Sequence, residues 1–435
     1  MKKILVLAEQ VFTIVSLVLY SGGPLTVILS GGSSEGDVTP GGPTEFPLIQ
    51  ILFFLNYLLT FILLVMRWKK VIYVFSKDKF IWLLVGIAVA SVFWSFTPTM
   101  TRTRGIALVG TSLFGLYLAS RYSIREQLKL LVWTFGIVLA LSLIFAVALP
   151  KYGIMGGIHA GAWRGIYVHK NVFGKIMVLS SLIFLLLAME AKRKRWLSWF
   201  GLALSICLLL LSKSTTSLIN VVTLLTLVPI YQTFRWRYHL MIPAVIAIIT
   251  IGGSLSLWLS SNAANLLNAL GKDTTLTGRA DMWPYMMDMI WKQPWLGYGY
   301  NGFWQGWDSP AAYVWRAARW SPPNSHNGLL DLWLDLGLLG VLVFLVGFAT
   351  TLANGLAWLR LNKSSEGFWP LLYLTYLFQA NLSESSLMIR NDIFWVLYVA
   401  VALSLYILPK QQAKFLTRRP DKQLFGSKMS DLNAL

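Results

Sequence analysis

The 435 residues are 56% hydrophobic, only 13% charged, and carry a formal net charge of +19. A soluble domain is about 45–50% apolar and about 25% charged, so a soluble globular core is excluded and a polytopic membrane protein is expected. The excess Lys and Arg sits in short segments between apolar runs and forms no soluble basic domain, which excludes a nucleic-acid partner.

The apolar runs predict an all-α transmembrane bundle of about twelve spans, each near the ~20 residues that cross a bilayer. The first is Ile4–Leu29. Lys2 and Lys3 before it resemble the start of a signal peptide, but the run is too long and no clean small-residue cleavage site follows. Gly22-Gly23-Pro24 is expected to break or kink this helix near its outer end. Ser30–Pro47, rich in Gly, Ser and Pro, reads as a flexible loop. Spans two to five are Leu48–Met66, Phe80–Phe96, Gly105–Ala119 and Leu128–Leu149. Next comes the segment Pro150–Lys170, which carries His159, Trp163, Arg164, His169 and Lys170.

Spans six to nine are Asn171–Met189, Trp196–Leu211, Ser217–Phe234 and Leu240–Leu259. Cys207 stands alone in span seven, so no intramolecular disulfide is expected. Ser212–Thr216 is a tight polar turn with Lys213. The loop 260–327 is long enough that it should carry structure or function of its own. Within it, Trp283, Met286, Met287 and Ile290 recur at helical spacing, predicting an interfacial helix over Arg279–Gln293 with Thr277 as N-cap. Pro284 kinks that helix or marks its first turn. The aromatics from Trp291 to Trp320 form an interfacial belt or a sugar-stacking surface. Gly297-Tyr298-Gly299-Tyr300-Asn301-Gly302 matches G-x-G-x-x-G, yet no strand precedes it, so the glycines are read as turn formers and no cofactor is expected. Spans ten to twelve are Gly328–Thr350, Phe368–Asn381 and Ile393–Leu408, the eleventh short and holding Pro370. The chain thus divides into spans one to nine (1–259), the large loop (260–327), spans ten to twelve (328–408) and a tail (409–435).

Alternate connecting segments hold about 24 of the 37 Lys and Arg, and both termini belong to that set. The positive-inside rule then puts both termini in the cytoplasm and the loop 260–327 in the periplasm. The basic segments should face anionic lipid. Asp331 and Asp335, one turn apart at the top of span ten, are the exceptions in a bilayer region otherwise read as nearly free of buried charge.

The polar chemistry is therefore expected at the outer face. Pro322-Pro323-Asn324-Ser325-His326-Asn327-Gly328 puts one imidazole at the mouth of span ten. Taken alone, His326 reads as a helix cap, Arg279 as a surface charge, and Arg164, Lys170, Arg316 and Arg319 as loop cations. Together they place cations beside aromatics around one histidine, on the face expected to be cation-poor. Arg suits paired hydrogen bonds to phosphate, so a lipid diphosphate would supply the missing negative charge.

The pattern Thr277-Gly278-Arg279-(three)-Trp283, then Pro294-Trp295-Leu296-Gly297-Tyr298-Gly299, then His326-Asn327-(two)-Leu330-(two)-Trp333-(three)-Gly337-(two)-Gly340 resembles the O-antigen ligase and polymerase superfamily. Val168-His169-Lys170-Asn171-(two)-Gly174 resembles its exopolysaccharide-polymerase branch. One departure is Lys213, where relatives commonly carry Arg. The resemblance implies a metal-independent glycosyltransferase of the bacterial inner membrane. It would move a glycan from an undecaprenyl-diphosphate carrier to an acceptor glycan or glycolipid at the periplasmic face. Carried onto this chain, His326 and Arg279 are the catalytic candidates, His326 on the acceptor hydroxyl and Arg279 on the diphosphate. Arg164, His169, Lys170 and Lys213 are candidates for binding the diphosphate or glycan. No metal-ligand cluster is read at the outer face. The rival reading is a membrane transporter, of bicarbonate or of lipid-linked glycan, which would show an inverted repeat or carboxylates paired near the midplane.

Overall fold

The computed structural model describes residues 2–32, 46–190, 195–262 and 279–407. It is an all-α bundle, with no strand among the described residues and one isolated bridge between Ile154 and Trp163. The helices are α1 (Lys2–Tyr20), α2 (Leu25–Leu29), α3 (Pro47–Val65), α4 (Trp68–Phe75), α5 (Lys79–Ala90), α6 (Pro98–Arg121), α7 (Ile124–Ala148) and α8 (Pro150–Gly153). They continue as α9 (Lys170–Glu190), α10 (Arg195–Leu211), α11 (Thr215–Thr233), α12 (Tyr238–Ser261), α13 (Arg279–Lys292), α14 (Ala311–Ala318), α15 (Gly328–Leu361), α16 (Trp369–Ala380) and α17 (Ile393–Ser404). Each of the twelve expected spans holds a helix. Six of these are long and apolar enough to cross a bilayer on length and composition: α1, α3, α7, α9, α11 and α15.

The core is built around α17, in which every residue from Ile393 to Ser404 is buried. It lies against α6, where a Cβ on Gly115 would come within 2.7 Å of Val399. The outward faces stay apolar: Ile51, Phe54, Leu58 and Phe61 of α3 are all exposed. In water such a surface would be costly, and in lipid it is the solvent-facing coat of a membrane-embedded protein.

The connecting segments sort into two ends. At the basic end Glu9 pairs with Arg67 at 2.8 Å and with Arg121 at 3.1 Å. There too Arg125 meets Glu190 at 2.6 Å, and Arg235 donates to the carbonyls of Asn362 and Ser364. At the other end Arg164 reaches the Gly32 carbonyl, Trp163 N–H donates to Leu211, and Phe96 N–H donates to Tyr298. These pairings follow the alternation expected from the charge distribution. Tyr20 ends α1 just before Gly22-Gly23-Pro24, the expected break. Pro370 stands in the first turn of α16, where its missing N–H costs nothing.

Three expectations are corrected. α15 runs to Leu361 rather than stopping near Thr350, because Trp358 and Leu359 are buried and keep the helix docked. α6 starts at Pro98, not Gly105, and so takes in Arg102 and Arg104. The bundle also buries more charge than Asp331 and Asp335: Arg104 and Lys175 are each 8% exposed. Lys175 escapes hydropathy averaging because the rest of α9 is apolar; its Nζ donates to Ser386 Oγ at 2.8 Å.

Candidate active site

The His326 segment is a folded loop whose shape its own polar side chains dictate. Asn324 Oδ1 accepts from His326 N–H at 2.9 Å. Ser325 is fully buried; its hydroxyl donates to the Asn327 carbonyl and accepts from Asn327 N–H. Asn327, not His326, caps the next helix: its Oδ1 accepts from Leu329 and Leu330 N–H. His326 is therefore no helix cap. It sits at a positive φ of 53°, a region His and Asn enter more readily than most residues.

Indole N–H groups and one carboxylate pin this loop from below. Trp283 of α13 donates to the Ser325 carbonyl at 3.1 Å. Trp304 donates to Asp331 Oδ1 at 2.9 Å, and the same carboxylate accepts Ser325 N–H and the Ser385 hydroxyl. The His326 ring stacks on Trp320 with centroids 6.1 Å apart. Its Nδ1 is buried without a hydrogen-bond partner among the described residues and faces Glu384 Oε2 at 3.9 Å.

Glu384 belongs to the hairpin between α16 and α17, and it joins His326 to the other half of the site. Its Oε1 accepts from Asn171 Nδ2 at 3.2 Å. Asn171 Oδ1 in turn accepts from Ser214 Oγ at 3.2 Å. The start of α9, carrying His169, Lys170 and Asn171, is thus held between the Lys213 turn and the Glu384 hairpin. Gly174 makes the approach of α11 possible, since a Cβ there would lie 2.4 Å from Ser217 Oγ. His169 Nδ1 accepts Asn171 N–H at 3.1 Å, which leaves Nε2 as the protonated nitrogen of the neutral ring. The His159 ring stands 5.5 Å from it. Lys213 is exposed, adopts φ 51°, and places Nζ 3.6 Å from where a Cβ on Gly161 would sit.

The glycine-rich segment is a plug in a broken helix. Gly337 (φ 65°, ψ −170°) interrupts α15. The groups freed there are paired by the segment 294–298: Leu338 N–H donates to Pro294 O, Leu339 N–H to Trp295 O, and Tyr298 N–H to Leu334 O. A Cβ on Gly337 would lie 2.2 Å from the Trp295 carbonyl carbon, and one on Gly299 would lie 2.4 Å from Ser95 Cβ. The glycines serve left-handed turns, as read from the sequence, and also permit a close approach of the backbone. Asp335, one turn below Asp331, accepts from Asn301 Nδ2 at 3.4 Å.

The expected helix over Arg279–Gln293 forms as α13, with Met282, Met286, Met289 and Ile290 buried against α14 and the top of α15. Arg279 is its first residue, one turn before Trp283; its side chain, like Thr277 and Gly278, lies outside the described residues. Arg164 has a different setting from the one expected of a phosphate ligand. Its side chain is fully buried, and its guanidinium donates to the carbonyls of Tyr152 (2.8 Å), Lys151 (3.0 Å) and Gly32 (2.6 Å). Sequence reasoning missed Glu384, and it named Asn171 in a motif without giving it a role. A carboxylate in the polar hairpin between the last two spans was the available signal for the first.

Residues 200–345 match the family model of the O-antigen ligases. Over 301 residues the chain is 24% identical to the exopolysaccharide production protein ExoQ of Rhizobium meliloti (strain 1021), covering 66% of this chain and 67% of that one. The family match spans α10 to the upper part of α15 and so includes Arg279, Trp283, His326 and Gly337. These two findings together support the O-antigen ligase and polymerase superfamily for this chain.

Proposed function

We propose that the protein is a glycosyltransferase of surface polysaccharide synthesis. It transfers a glycan from an undecaprenyl-diphosphate carrier to an acceptor sugar hydroxyl at the periplasmic face of the inner membrane. The observation that carries this reading is the chain Ser214–Asn171–Glu384–His326, which ties His326 to the cation-bearing start of α9 and the Lys213 turn.

In this reading Glu384 faces Nδ1–H and leaves Nε2 of His326 as the base. Nε2 takes the acceptor hydroxyl proton as the acceptor oxygen bonds to the anomeric carbon. The bond from that carbon to the diphosphate breaks, and the carrier leaves with both electrons. Arg279, Lys213 and Lys170 match the charge of the departing diphosphate, and His169 offers it Nε2–H as a hydrogen-bond donor. Arg164 holds the segment that presents two of them. A positioned general base contributes about 10²–10⁴-fold, and electrostatic complementarity to the leaving group supplies much of the rest. No metal is used in this scheme. The relative's printed role, exopolysaccharide production, favours a second carrier-linked repeat as acceptor over a lipid-anchored core sugar.

Transport accounts less well for these features. A broken helix is a transporter hallmark when its freed groups hold an ion. At Gly337 the segment 294–298 pairs those groups instead.

The test is transfer by the purified chain with carrier-linked donor and acceptor, with and without EDTA. Glycan transfer that persists in EDTA is expected. Uptake of donor without any new glycosidic bond would sink the proposal in favour of transport.

A further inference from the structure

About 14 Å along α13 from Trp283, at ~1.5 Å per residue, the helix ends beside a second concave feature. This open groove of about 520 Å³ lies between the C-terminal turn of α13, the segment 94–98 before α6 and the start of α14. Trp94, Phe96, Lys292, Gln293, Tyr298 and Asp308 line it. None of them takes part in the scheme at His326.

The lining has the composition that sugars require. Trp94 has its indole N–H fixed on the Leu296 carbonyl at 2.9 Å, so its ring is held in place. Phe96 is 53% exposed. Lys292, Gln293 and Asp308 are exposed and offer an ammonium, an amide and a carboxylate within one groove. A few placed polar groups among aromatic walls orient a ligand with an apolar face and hydroxyl edges. Acyl chains are poor occupants, because Lys292 and Asp308 would both face hydrocarbon. Its size falls in the range of small-ligand sites, ~300–1,000 Å³.

We propose that this groove is an oligosaccharide-binding subsite, holding the glycan several sugars away from the bond being made. The inference rests on the glycosyltransferase reading and deepens it: α13 spans from the Arg279 and His326 region at one end to the groove at the other. Binding remote from the reacting centre holds the chain in register, so that the terminal sugar reaches His326 in a defined pose.

The test uses the full chain in detergent and, as probe, oligosaccharides released by mild acid from the host strain's own surface polysaccharide. Saturation-transfer NMR and tryptophan fluorescence report binding. Wild type should bind saturably. Gln293→Ala and Asp308→Ala should each weaken binding about five- to ten-fold, the loss of one or two hydrogen bonds. Gly86→Ala, where an added Cβ meets nothing within 4 Å, should bind as wild type does. Absence of saturable binding by wild type, or undiminished binding by the Gln293→Ala/Asp308→Ala double variant, would overturn the proposal. So would occupancy by phosphatidylglycerol in nanodiscs that the oligosaccharides fail to displace. The measurement needs no carrier and no turnover. A protein inactive in transfer can still pass it, and an active one can fail it.

Discussion

His326 occupies a left-handed backbone position that Asn also tolerates and Ala does not favour. His326→Asn is therefore the substitution that removes the imidazole while preserving the loop. Glu384→Gln keeps the shape of its neighbour but removes the charge facing Nδ1. A fall in turnover of about tenfold or more is expected, with donor binding little changed. Unchanged turnover in a steady-state assay would reduce Glu384 to a link between two loops. Arg279→Lys keeps a charge but loses the paired fork. At about 1.5–3 kcal/mol for a charge-assisted hydrogen bond, transfer should drop about tenfold to a hundredfold while the protein still inserts. Full activity of this variant would move the diphosphate cradle to Lys213 and the start of α9. His326 was legible as a candidate from its place at the mouth of a span. Glu384 was not: its partner lies 58 positions away in the chain, and a carboxylate in a polar hairpin does not by itself say what it faces.

At the scale of elements, the spans were legible because about twenty apolar residues in a row have few alternatives to a membrane helix. The break in α15 was not, because Leu334, Leu338 and Leu339 look like any helix interior until their partners from 294–298 are in place. α14, with Ala311, Ala312, Val314 and Trp315 buried on helical spacing, carried a signal that the belt of aromatics obscured. The plug makes a direct prediction. Gly337→Ala puts a Cβ against the Trp295 carbonyl at a φ of 65°, where the backbone strain alone is about 1–3 kcal/mol. The yield of folded protein should fall several-fold on fluorescence-detected size exclusion. Gly86→Ala meets nothing within 4 Å and should behave as wild type. Equal yields for the two variants would contradict the account of the break.

For the whole molecule, the charge alternation and the two sets of joined loops agree on which segments share an end, and the proposed sidedness rests on the charge bias. With Cys207 replaced by Ser, a cysteine at exposed Ser321 should react with an impermeant maleimide in spheroplasts, and one at exposed Ser76 should react only after lysis. The reverse pattern would turn the site to the cytoplasm and remove the proposed substrate from its reach. The central claim is that the loop imidazole acts in glycosyl transfer. Its most direct test is single-turnover transfer by His326→Asn at saturating carrier-linked donor, with donor binding measured on the same preparation. The account predicts a rate about 10²–10⁴-fold below wild type with donor affinity retained. A rate equal to wild type would contradict it.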